Sequence, residues 1–519
     1  MNFYFRVNCN KKIGMGHLSR ALKLANELHY RKHKCFFFLD NKKDLKQITI
    51  EHPIIEIYKN DKYINQIKDA KKFINLINNF GTGNIVLDDY RHDFIWEKEI
   101  KKNFNNKLIV ISDDVKRKHL ADYVINYKVS AYLVKEICNP LNQNIKYLLG
   151  PKYSLIGSNI KKELKKKERL KSKTFIIILY LGGSGKINIL ENIASNIKSK
   201  FLKENIKNFK ICLILGPLMD KSYIVNKYKK QSKIEIISGQ FDLINLYKKA
   251  HLFIGSAGTS IYETSISNIP TVLFNYARNQ NDNISDLEKL GHYIFLKKKD
   301  LLNYRKLSHL VFAIKNNYKR FFNLSQNKKI NLDLKGPQRV CDIILNKKKI
   351  ISYSLDKNYN TSPAKSFFKA DDSDVNKILN IRNLSDNRKI SVNKKKISNL
   401  DHYIWWFESI NNHYFIKKNS NIKIIFWDSK IKLNNLRVII SGWYSCKKIN
   451  IIEILNGIKK HYSTLNKNLK LLSVIRPSNK ISLIVNKYLG YKIVSKDDKI
   501  NNYIKKLYKN SKQLVFSTK

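Results

Sequence analysis

The 519-residue sequence predicts an α/β protein with two parallel-sheet domains in tandem, followed by a third domain of α+β character. Short apolar runs alternate with helical stretches from residue 1 to about residue 155, and this alternation is typical of βαβ units. The same alternation restarts at Thr174. From about residue 366 the pattern changes to helices mixed with β-rich runs, which indicates a separate domain.

In the first domain the expected strands share high apolar content and turn residues at their ends. They are Phe3–Val7, Cys35–Leu39, Ile54–Tyr58, Ile85–Asp88, Leu108–Ser112 and Tyr123–Ile125. The first helix is predicted from the positions of Leu18, Ala21, Leu22, Ala25 and Leu28, which lie on one helical face.

The second domain has expected strands at Thr174–Leu181, Lys210–Leu215, Ile234–Ile237, Leu252–Ile254 and Thr271–Phe274. We place the domains at residues 1–158, 159–345 and 366–519, with a polar, lysine-rich linker at 346–365. Two such α/β domains usually bind a ligand in the cleft at the carboxyl ends of their strands.

The formal net charge of +58 is as high as that of many nucleic-acid-binding proteins, but the distribution of the basic residues is not typical of them. Lysines are spread over the whole chain, and no nucleic-acid-binding motif accompanies them, so we expect no nucleic-acid partner. No apolar run is long enough to span a membrane. The six scattered cysteines form no C-x-x-C pair and fit reduced thiols, so we expect a cytoplasmic protein without a metal site.

The run Gly14-Met15-Gly16-His17 follows the first strand and opens the first helix. Glycines permit close backbone approach to a ligand, and the start of a helix favours negative charge, so a diphosphate fits here. A histidine beside the phosphates could act as a general base or acid. The alternative is an ordinary glycine turn with an incidental histidine.

Two further glycine loops follow apolar strands, Gly182-Gly183-Ser184-Gly185 and Gly255-Ser256-Ala257-Gly258-Thr259-Ser260. Their N–H groups and hydroxyls suit phosphate oxygens. On the next helix, Glu263 could accept hydrogen bonds from a ribose diol or could simply face solvent. Asn279 and Gln280 follow the strand Thr271–Phe274 and could bind in the cleft or belong to a polar loop.

Two acidic pairs, Asp88-Asp89 and Asp113-Asp114, end strands of the first domain. Carboxylates at this edge could bind a metal or cap the helices that follow.

Taken together, these motifs resemble the UDP-sugar hydrolases of pseudaminic acid biosynthesis (PseG type), which are relatives of the MurG-like glycosyltransferases with the GT-B fold. The resemblance covers roughly residues 3–340 and implies a GT-B arrangement of two Rossmann-like domains. The matching segments are Arg6, Ile13-Gly14-x-Gly16-His17-x-x-Arg20, Ile111-x-Asp113-Asp114, Ala121-Asp122-x-Val124-Ile125-Asn126, Leu149-Gly150-Pro151-x-Tyr153-x-Leu155, Gly182-Gly183-Ser184, Gly258-Thr259-Ser260-x-Tyr262-Glu263 and Asn279-Gln280.

The resemblance implies inverting, metal-independent hydrolysis of UDP-2,4-diacetamido-2,4,6-trideoxy-β-L-altropyranose to UDP and free sugar, without a cofactor. It assigns the catalytic role to His17. The substrate-binding residues that it implies are Arg6, Gly14, Gly16, Arg20, Gly182, Gly183, Ser184, Gly258, Thr259, Ser260, Glu263, Asn279 and Gln280. The sequence departs from the family at Asn8 and Gly185, where the family carries acidic residues. If either acid orients the histidine or the water, its absence here would alter activity.

Residues 367–510 resemble, more weakly, a GNAT-fold acetyltransferase of the kind that acetylates the 4-amino sugar nucleotide of the same pathway. The matching pieces include Asp374-Val375, Ile381-Arg382-Asn383, His402 with Trp405-Trp406-Phe407, and Arg476-Pro477-Ser478-Asn479-Lys480-x-Ser482 before Tyr488-Leu489-Gly490-Tyr491. The aromatic cluster is expected to pack in the core.

This resemblance implies acetyl-CoA as the cofactor of the third domain. We expect the pyrophosphate loop near residues 442–452, where Gly442 is the single glycine. Either the loop is divergent or the domain no longer binds acetyl-CoA.

The sequence therefore favours a fusion of a UDP-sugar hydrolase with a GNAT-like domain, with association with other nonulosonic acid pathway enzymes as a further expectation. Two alternatives stay open. The same cleft could serve a glycosyltransferase that uses a sugar acceptor in place of water, or the chain could bind a sugar nucleotide without turning it over.

Overall fold

The computed structural model forms two compact units, Met1–Ser352 and Tyr353–Lys519. Residues are described throughout except 11–12, 46–49, 60–61, 115–116, 134–143, 158–168, 170, 184–185, 217, 220–221, 229–231, 239–242, 276–279, 281–282, 349–366, 409–410, 419–420, 434–435, 447–449, 466–469, 496–497, 509–512 and 519. In the described part of the chain, no helix is both long and apolar enough to cross a membrane.

The first unit begins with a seven-stranded sheet of order β3-β2-β1-β4-β5-β6-β7, in which every neighbouring pair is parallel. Its strands are β1 Asn2–Val7, β2 Lys34–Leu39, β3 Ile54–Glu56, β4 Gly83–Asp88, β5 Leu108–Ile111, β6 Tyr123–Asn126 and β7 Lys146–Leu149. The helices of this half are α1 Gly16–Tyr30, α2 Gln66–Ile77, α3 Phe94–Asn103 and α4 Val129–Leu133. The predicted strands are thus present. Strand β7 was not predicted, because Lys146 and Tyr147 interrupt the apolar pattern of this short segment.

The second sheet has the order β10-β9-β8-β11-β12-β13 and is also parallel. Its strands are β8 Phe175–Tyr180, β9 Phe209–Leu215, β10 Ile234–Ser238, β11 Leu252–Ser256, β12 Thr271–Phe274 and β13 Ile294–Leu296. The helices that follow in the chain are α5 Ile187–Lys203, α6 Ser222–Tyr228, α7 Ile244–Lys249, α8 Ser260–Ile266, α9 Ile284–Lys289, α10 Lys298–Leu301, α11 Tyr304–Asn316, α12 Tyr318–Gln326 and α13 Gly336–Ile344.

The strands of both sheets read as nearly continuous apolar runs because helices cover both faces of a parallel sheet. In β1, five consecutive residues are buried, including the charged Arg6. The alternation of strand and helix in the sequence therefore predicted the two parallel sheets but missed one edge strand of each, β7 and β13.

Helix α13 packs on the first half of the unit, although its sequence position follows the second sheet. It contacts α1, and Arg31 donates hydrogen bonds to Asp342 at 2.6 Å and to the Gln338 carbonyl at 3.2 Å. A Cβ on Gly336 would fall 2.0 Å from the Ser154 carbonyl oxygen, so only glycine fits. The boundaries 1–158 and 159–345 therefore describe the order along the sequence, whereas α13 packs against the helices of the first half.

The second unit contains a mixed seven-stranded sheet of order β14-β15-β16-β17-β18-β20-β19. Its strands are β14 Phe367–Lys369, β15 Asn411–Lys418, β16 Asn421–Leu433, β17 Leu436–Ser445, β18 Lys470–Ile475, β19 Lys492–Ile493 and β20 Leu514–Ser517. Its helices are α14 Val375–Arg382, α15 Ser385–Ile390, α16 Asn399–Glu408, α17 Ile451–Ser463, α18 Lys480–Tyr488 and α19 Lys499–Leu507. Strands β17 and β18 run parallel, and the other neighbouring pairs run antiparallel.

Candidate active site

His17 lies in the first turn of α1, next to the carboxyl end of β4. Its ring is 6% exposed, and Nδ1 lies 2.5 Å from Oδ1 of Asp88, the last residue of β4. Parallel strands bring the carboxyl end of β4 beside that of β1, from which the chain continues into α1. The order of strands in the sheet therefore places this histidine and this carboxylate together, although they are 71 positions apart in the sequence.

Arg20, one helical turn beyond His17, fixes the position of Asp88. Its Nε donates to Oδ2 of Asp88 and its Nη2 to Oδ1, both at 2.6 Å. Its Nη1 donates to Asp113 at 2.7 Å, at the end of the neighbouring strand β5. Burial acts to lower the pKa of Arg20, but Asp113 and Asp88 outweigh it and hold the pKa well above its ordinary value.

Asp113 is the second carboxylate of this cluster. Burial would raise its pKa, yet Arg20 and the hydroxyl of Tyr90, which donates to Oδ2 of Asp113, hold the pKa well below the ordinary range. Asp113 therefore stays charged across the physiological range and keeps Arg20 in place.

The contact with the Asp88 carboxylate decides which nitrogen of His17 carries the proton. A carboxylate only accepts, so Nδ1 of the neutral ring donates and Nε2 carries a lone pair. Among the described residues Nε2 has no hydrogen-bond partner. It is also not one of the side-chain atoms that are fully buried and lack a partner. The arrangement is that of a general base whose orienting carboxylate is already bound.

Three tyrosines surround this cluster, and the sequence analysis did not select any of them as site residues. The Tyr90 ring meets the His17 ring edge to face at 4.3 Å between centroids. Tyr127 accepts a hydrogen bond from Arg20 at 3.2 Å, and its carbonyl accepts one from the hydroxyl of Tyr262 at 3.2 Å. Tyr262 lies on α8, so this chain of contacts joins the cluster to the second sheet. Part of the sequence signal was available, because Tyr262 belongs to a matched segment, Tyr127 follows the matched Asn126, and Tyr90 follows the acidic pair Asp88-Asp89.

The glycine loops of the two halves meet beside α1. A Cβ on Gly183 would fall 2.6 Å from the Met15 side chain, and a Cβ on Gly216 would fall 2.3 Å from the Gly183 carbonyl oxygen. Gly182 adopts a φ of +86° and lies near Ser256 of the third loop. The first, second and third glycine loops are therefore neighbours, as a shared ligand would require.

Gly14 and Gly16 have different roles in the first loop. Gly14 adopts a φ of +89° and its N–H bonds to the Asn10 carbonyl at 2.7 Å, so it closes the turn. Gly16 is exposed, and a Cβ added there would meet nothing within 4 Å. The first turn of α1 carries neither a side-chain cap nor an acidic residue. Its N–H groups and its dipole are therefore available to an anion.

In the third loop, Gly258 lies beside Gln280, with 3.6 Å between an added Cβ and Nε2 of that side chain. Thr259 and Ser260 form the start of α8. Glu263 is half-buried on the same helix and lies near the half-buried Tyr180 and the buried Tyr247. Burial first and this carboxylate second raise the pKa of both tyrosines. Ser184, Gly185 and Asn279 lie outside the described residues.

Arg6 requires a correction, because its position does not suit the substrate contact that the family resemblance implied. It is fully buried, and its five N–H donors go to Asp69, Asp40 and the carbonyls of Val7 and Phe38. Arg6 therefore positions other groups and has no N–H free for a substrate, and Arg20 directs its hydrogen bonds to Asp88, Asp113 and Tyr127.

Within the described part of the chain, Asn8 makes no hydrogen bond to His17, and it belongs to the Arg6 cluster. Its Nδ2 donates to Asp40 at 3.2 Å, and its Oδ1 accepts from the Cys9 N–H at 2.8 Å. Since Asp88 orients His17, the departure from the family pattern at position 8 leaves the histidine with its carboxylate.

The acidic pairs have a different role from both roles that the sequence suggested. Asp88 and Asp113 bind Arg20, and Asp89 binds Arg91. Helix α3 is capped by Asp93, which accepts from the Ile95 N–H. Among the described residues, no group of three or more histidine, cysteine or acidic side chains is arranged to hold a metal.

In the second unit, Gly442 lies within β17 and not in a loop. A Cβ there would fall 2.7 Å from the Trp427 indole, so the glycine makes room for that ring. The expected pyrophosphate loop at 442–452 is therefore strand as far as Ser445, and residues 447–449 lie outside the described part. Trp406 and Phe407 are buried, whereas Trp405 is 40% exposed.

Comparison with known proteins supports the GT-B superfamily. Residues 177–338 match the glycosyltransferase family 28 C-terminal domain. The chain is 25% identical over 304 residues to the UDP-2,4-diacetamido-2,4,6-trideoxy-beta-L-altropyranose hydrolase of Campylobacter jejuni, a match that covers 57% of this chain and 100% of that protein. It is 25% identical over 272 residues to the uncharacterized protein MJ1062 of Methanocaldococcus jannaschii, covering 50% of this chain and 53% of that one. The chain thus spans about half the length of MJ1062.

Among solved structures, MurG of Acinetobacter baumannii aligns at 14% identity over 67% of this chain and 100% of its own, with a TM-score of 0.45. MnaA of S. aureus, solved with UDP, aligns at 10% identity over 68% of this chain and 100% of its own, also at 0.45. The two parallel sheets and the family 28 match together support the assignment of Met1–Ser352 to an α/β architecture of the GT-B type.

Proposed function

We propose that the first unit hydrolyses a UDP-sugar, with UDP-2,4-diacetamido-2,4,6-trideoxy-β-L-altropyranose as the substrate, to UDP and the free sugar. The observation that carries the proposal is the His17–Asp88 pair, whose open Nε2 lies at the start of α1 beside three glycine loops. The Campylobacter hydrolase, matched over its full length, supports this choice of substrate.

In the proposed mechanism, Nε2 of His17 accepts a proton from water as the water oxygen bonds to the anomeric carbon. The bond between that carbon and the UDP oxygen breaks on the opposite face, so the configuration inverts. Asp88 stabilises the imidazolium that forms, and Arg20 holds Asp88 in place. The uncapped N–H groups of α1 and the glycine loops bind the departing diphosphate.

The test is proton NMR of the full chain with this UDP-sugar, alongside His17→Ala. We expect wild type to release UDP and free sugar of inverted anomeric configuration, and His17→Ala to bind UDP without turnover. Turnover by His17→Ala at the wild-type rate would remove this residue from the mechanism. UDP binding without turnover in wild type would instead favour a sugar-nucleotide-binding protein.

A glycosyltransferase is the second candidate, and the family 28 match over residues 177–338 favours it. The same base would then deprotonate a sugar hydroxyl in place of water. UDP release that depends on an added acceptor, with a new glycoside as product, would select this function over hydrolysis.

For the second unit we propose an acetyl-CoA-dependent N-acetyltransferase of the GNAT type. Its support is the parallel pair β17–β18 in an otherwise antiparallel sheet. This pair is joined only from Val438–Lys470 to Ile440–Leu472, although β17 continues to Ser445 and β18 to Ile475. The two strands are therefore not paired with each other toward their carboxyl ends, and we place the proposed acetyl-CoA site there. Isothermal titration of acetyl-CoA tests the proposal, and absence of binding would contradict it.

The proposed partners of the chain are the UDP-sugar and, by association, other enzymes of nonulosonic acid biosynthesis, and the proposed location is the cytoplasm. Co-purification of the full chain with those enzymes would test the association.

A further inference from the structure

We propose that a cavity at the amino-terminal edge of the second sheet binds a phosphate-bearing small molecule, at a site separate from the glycine loops. The cavity has a volume of about 500 Å³. Phe175, which begins β8, and His251, which precedes β11, form part of its wall. The glycine loops follow the other ends of the same two strands, so the cavity and the candidate active site lie at opposite edges of the sheet.

Arg169 is the feature of this cavity that points to an anionic ligand. It is 8% exposed, and within the part of the chain that is described no carboxylate pairs with it. Its Nη atoms donate to the carbonyls of Ser267, Asn268 and Tyr247 at 2.7 to 3.0 Å, whereas its Nε is buried without any partner. A buried cation without a counter-charge is costly, because burial removes its hydration.

The carbonyl groups around Arg169 compensate only part of its charge. Tyr247 lies near the end of α7, and Ser267 and Asn268 directly follow α8, so the guanidinium lies at the partly negative ends of two helices. These contacts hold Nη1 and Nη2. They leave Nε without a partner, and burial lowers the pKa of this arginine.

Tyr318 supplies a second unpaired donor to the same cavity. Its hydroxyl is buried and has no hydrogen-bond partner. Burial raises the pKa of this tyrosine, so the hydroxyl keeps its proton and can donate. His251 is not a competing acceptor, because its Nδ1 accepts from the Ile176 N–H at 3.1 Å and its Nε2 contacts the Arg169 carbonyl at 3.0 Å.

The remaining charges select an anion of several oxygens. Lys173, Lys207 and Lys315 also line the cavity, and its described lining contains no carboxylate. A phosphate group can accept from a guanidinium, a hydroxyl and several ammonium groups at once. The rings of Phe175 and Tyr318, edge to face at 5.4 Å, offer an apolar surface to the organic part of such a molecule.

The experiment is calorimetric titration of inorganic phosphate into the full chain at constant ionic strength. We expect saturable binding to wild type and about tenfold weaker binding to Tyr318→Phe, which loses one hydrogen bond to a charged group. Without phosphate, Tyr318→Phe should have the higher Tm, because the variant no longer buries an unpaired hydroxyl. A variant that binds phosphate more weakly but has a higher Tm has lost a ligand contact. A residue with only a packing role would not give this combination.

Two further variants locate the bound phosphate. Lys207→Gln/Lys315→Gln should weaken binding, whereas the matched double variant Lys34→Gln/Lys299→Gln, at exposed positions outside the cavity lining, should not. Absence of saturable binding, or equal affinity in wild type and Tyr318→Phe, would overturn the proposal, and neither result bears on UDP-sugar hydrolysis.

Discussion

The first sheet contains two buried arginine clusters that differ in one respect. In the cluster of Arg6, the fully buried Asp69 accepts from Arg6, from Tyr58 at 2.9 Å and from the Trp96 indole at 2.9 Å. In the cluster of Arg20, the chain of contacts ends at His17 with a nitrogen that is still free to react. Burial and charge pairing therefore do not by themselves mark a catalytic group, and the proposed role of His17 depends on the open end of its network.

The largest expected effect is on kcat, and the same Asp→Asn substitution in each cluster should distinguish the two. Asp88→Asn and Asp69→Asn each remove one buried carboxylate charge from an arginine. Asp88→Asn should lower kcat for UDP release by about 10³- to 10⁴-fold, because Asn cannot hold His17 in the required tautomer or stabilise its charged form. Asp69→Asn should leave the kcat of the folded protein at its wild-type order of magnitude.

Both variants should lose stability, by about 3–5 kcal/mol, because each leaves a buried guanidinium with fewer partners. Circular dichroism gives the folded fraction by which each rate is corrected. Equal loss of corrected kcat in the two variants would contradict the distinction between the clusters.

The next effect is an acid dependence confined to the Arg6 cluster. Burial would raise the pKa of Asp69, but Arg6 outweighs burial and lowers the pKa to about 2. A carboxyl whose pKa is lower in the folded state contributes stability above its unfolded pKa, near 4, and loses that contribution as the pH falls toward 2. The contribution amounts to about 2–3 kcal/mol.

Urea denaturation of wild type and Asp69→Asn between pH 6 and pH 2 checks this dependence. The difference in unfolding free energy between the two proteins should shrink as the pH falls through that window. A difference that stays constant would show that Asp69 is not held charged by Arg6.

The two sheets and the glycine loops could be predicted from the sequence because local patterns specify them. Apolar runs, helical periodicity and Gly14, Gly16, Gly182 and Gly258 are visible without knowledge of any contact. The partners of the charged residues could not be assigned in this way, since they depend on which strands are neighbours. Asp88 was visible at a strand end, but its pairing with His17 follows from β4 lying beside β1.

The same limit explains the errors. Arg6 stands in a motif beside the glycine turn, yet alternation along β1 points it to the opposite side of the sheet from the catalytic cluster, among Asp69 and Trp96. Gly442 was predicted to belong to a ligand-binding loop, but the glycine is there because the facing Trp427 ring leaves no room for a side chain. In both places a long-range contact, absent from the local pattern, decides the role.

A smaller effect is expected at the glycine that faces open space. Gly16→Ala should fold at least as well as wild type, since no atom lies within 4 Å of the added Cβ and Ala favours a helix. UDP affinity should fall about tenfold if the diphosphate approaches this backbone, as one or two hydrogen bonds to a charged group are weakened. Calorimetric titration of UDP measures the change.

Gly183→Ala is the contrasting variant, because its Cβ would fall 2.6 Å from Met15 and should lower Tm even without UDP. An unchanged UDP affinity in Gly16→Ala would place the diphosphate elsewhere in the unit.

The smallest effect is expected at the position where the sequence departs from its family. Asn8→Asp restores the acidic residue, but Asn8 contacts Asp40 and the Cys9 N–H and has no described contact with His17. We therefore expect kcat for UDP release to stay within about twofold of wild type, well inside the effect of losing a hydrogen bond to a charged group. The new carboxylate lies beside Asp40, and Arg6 and Arg91 limit the repulsion between the two. A large rise in kcat would instead mean that the acid at position 8 acts on the water or the histidine, and that Asp88 alone does not complete the base.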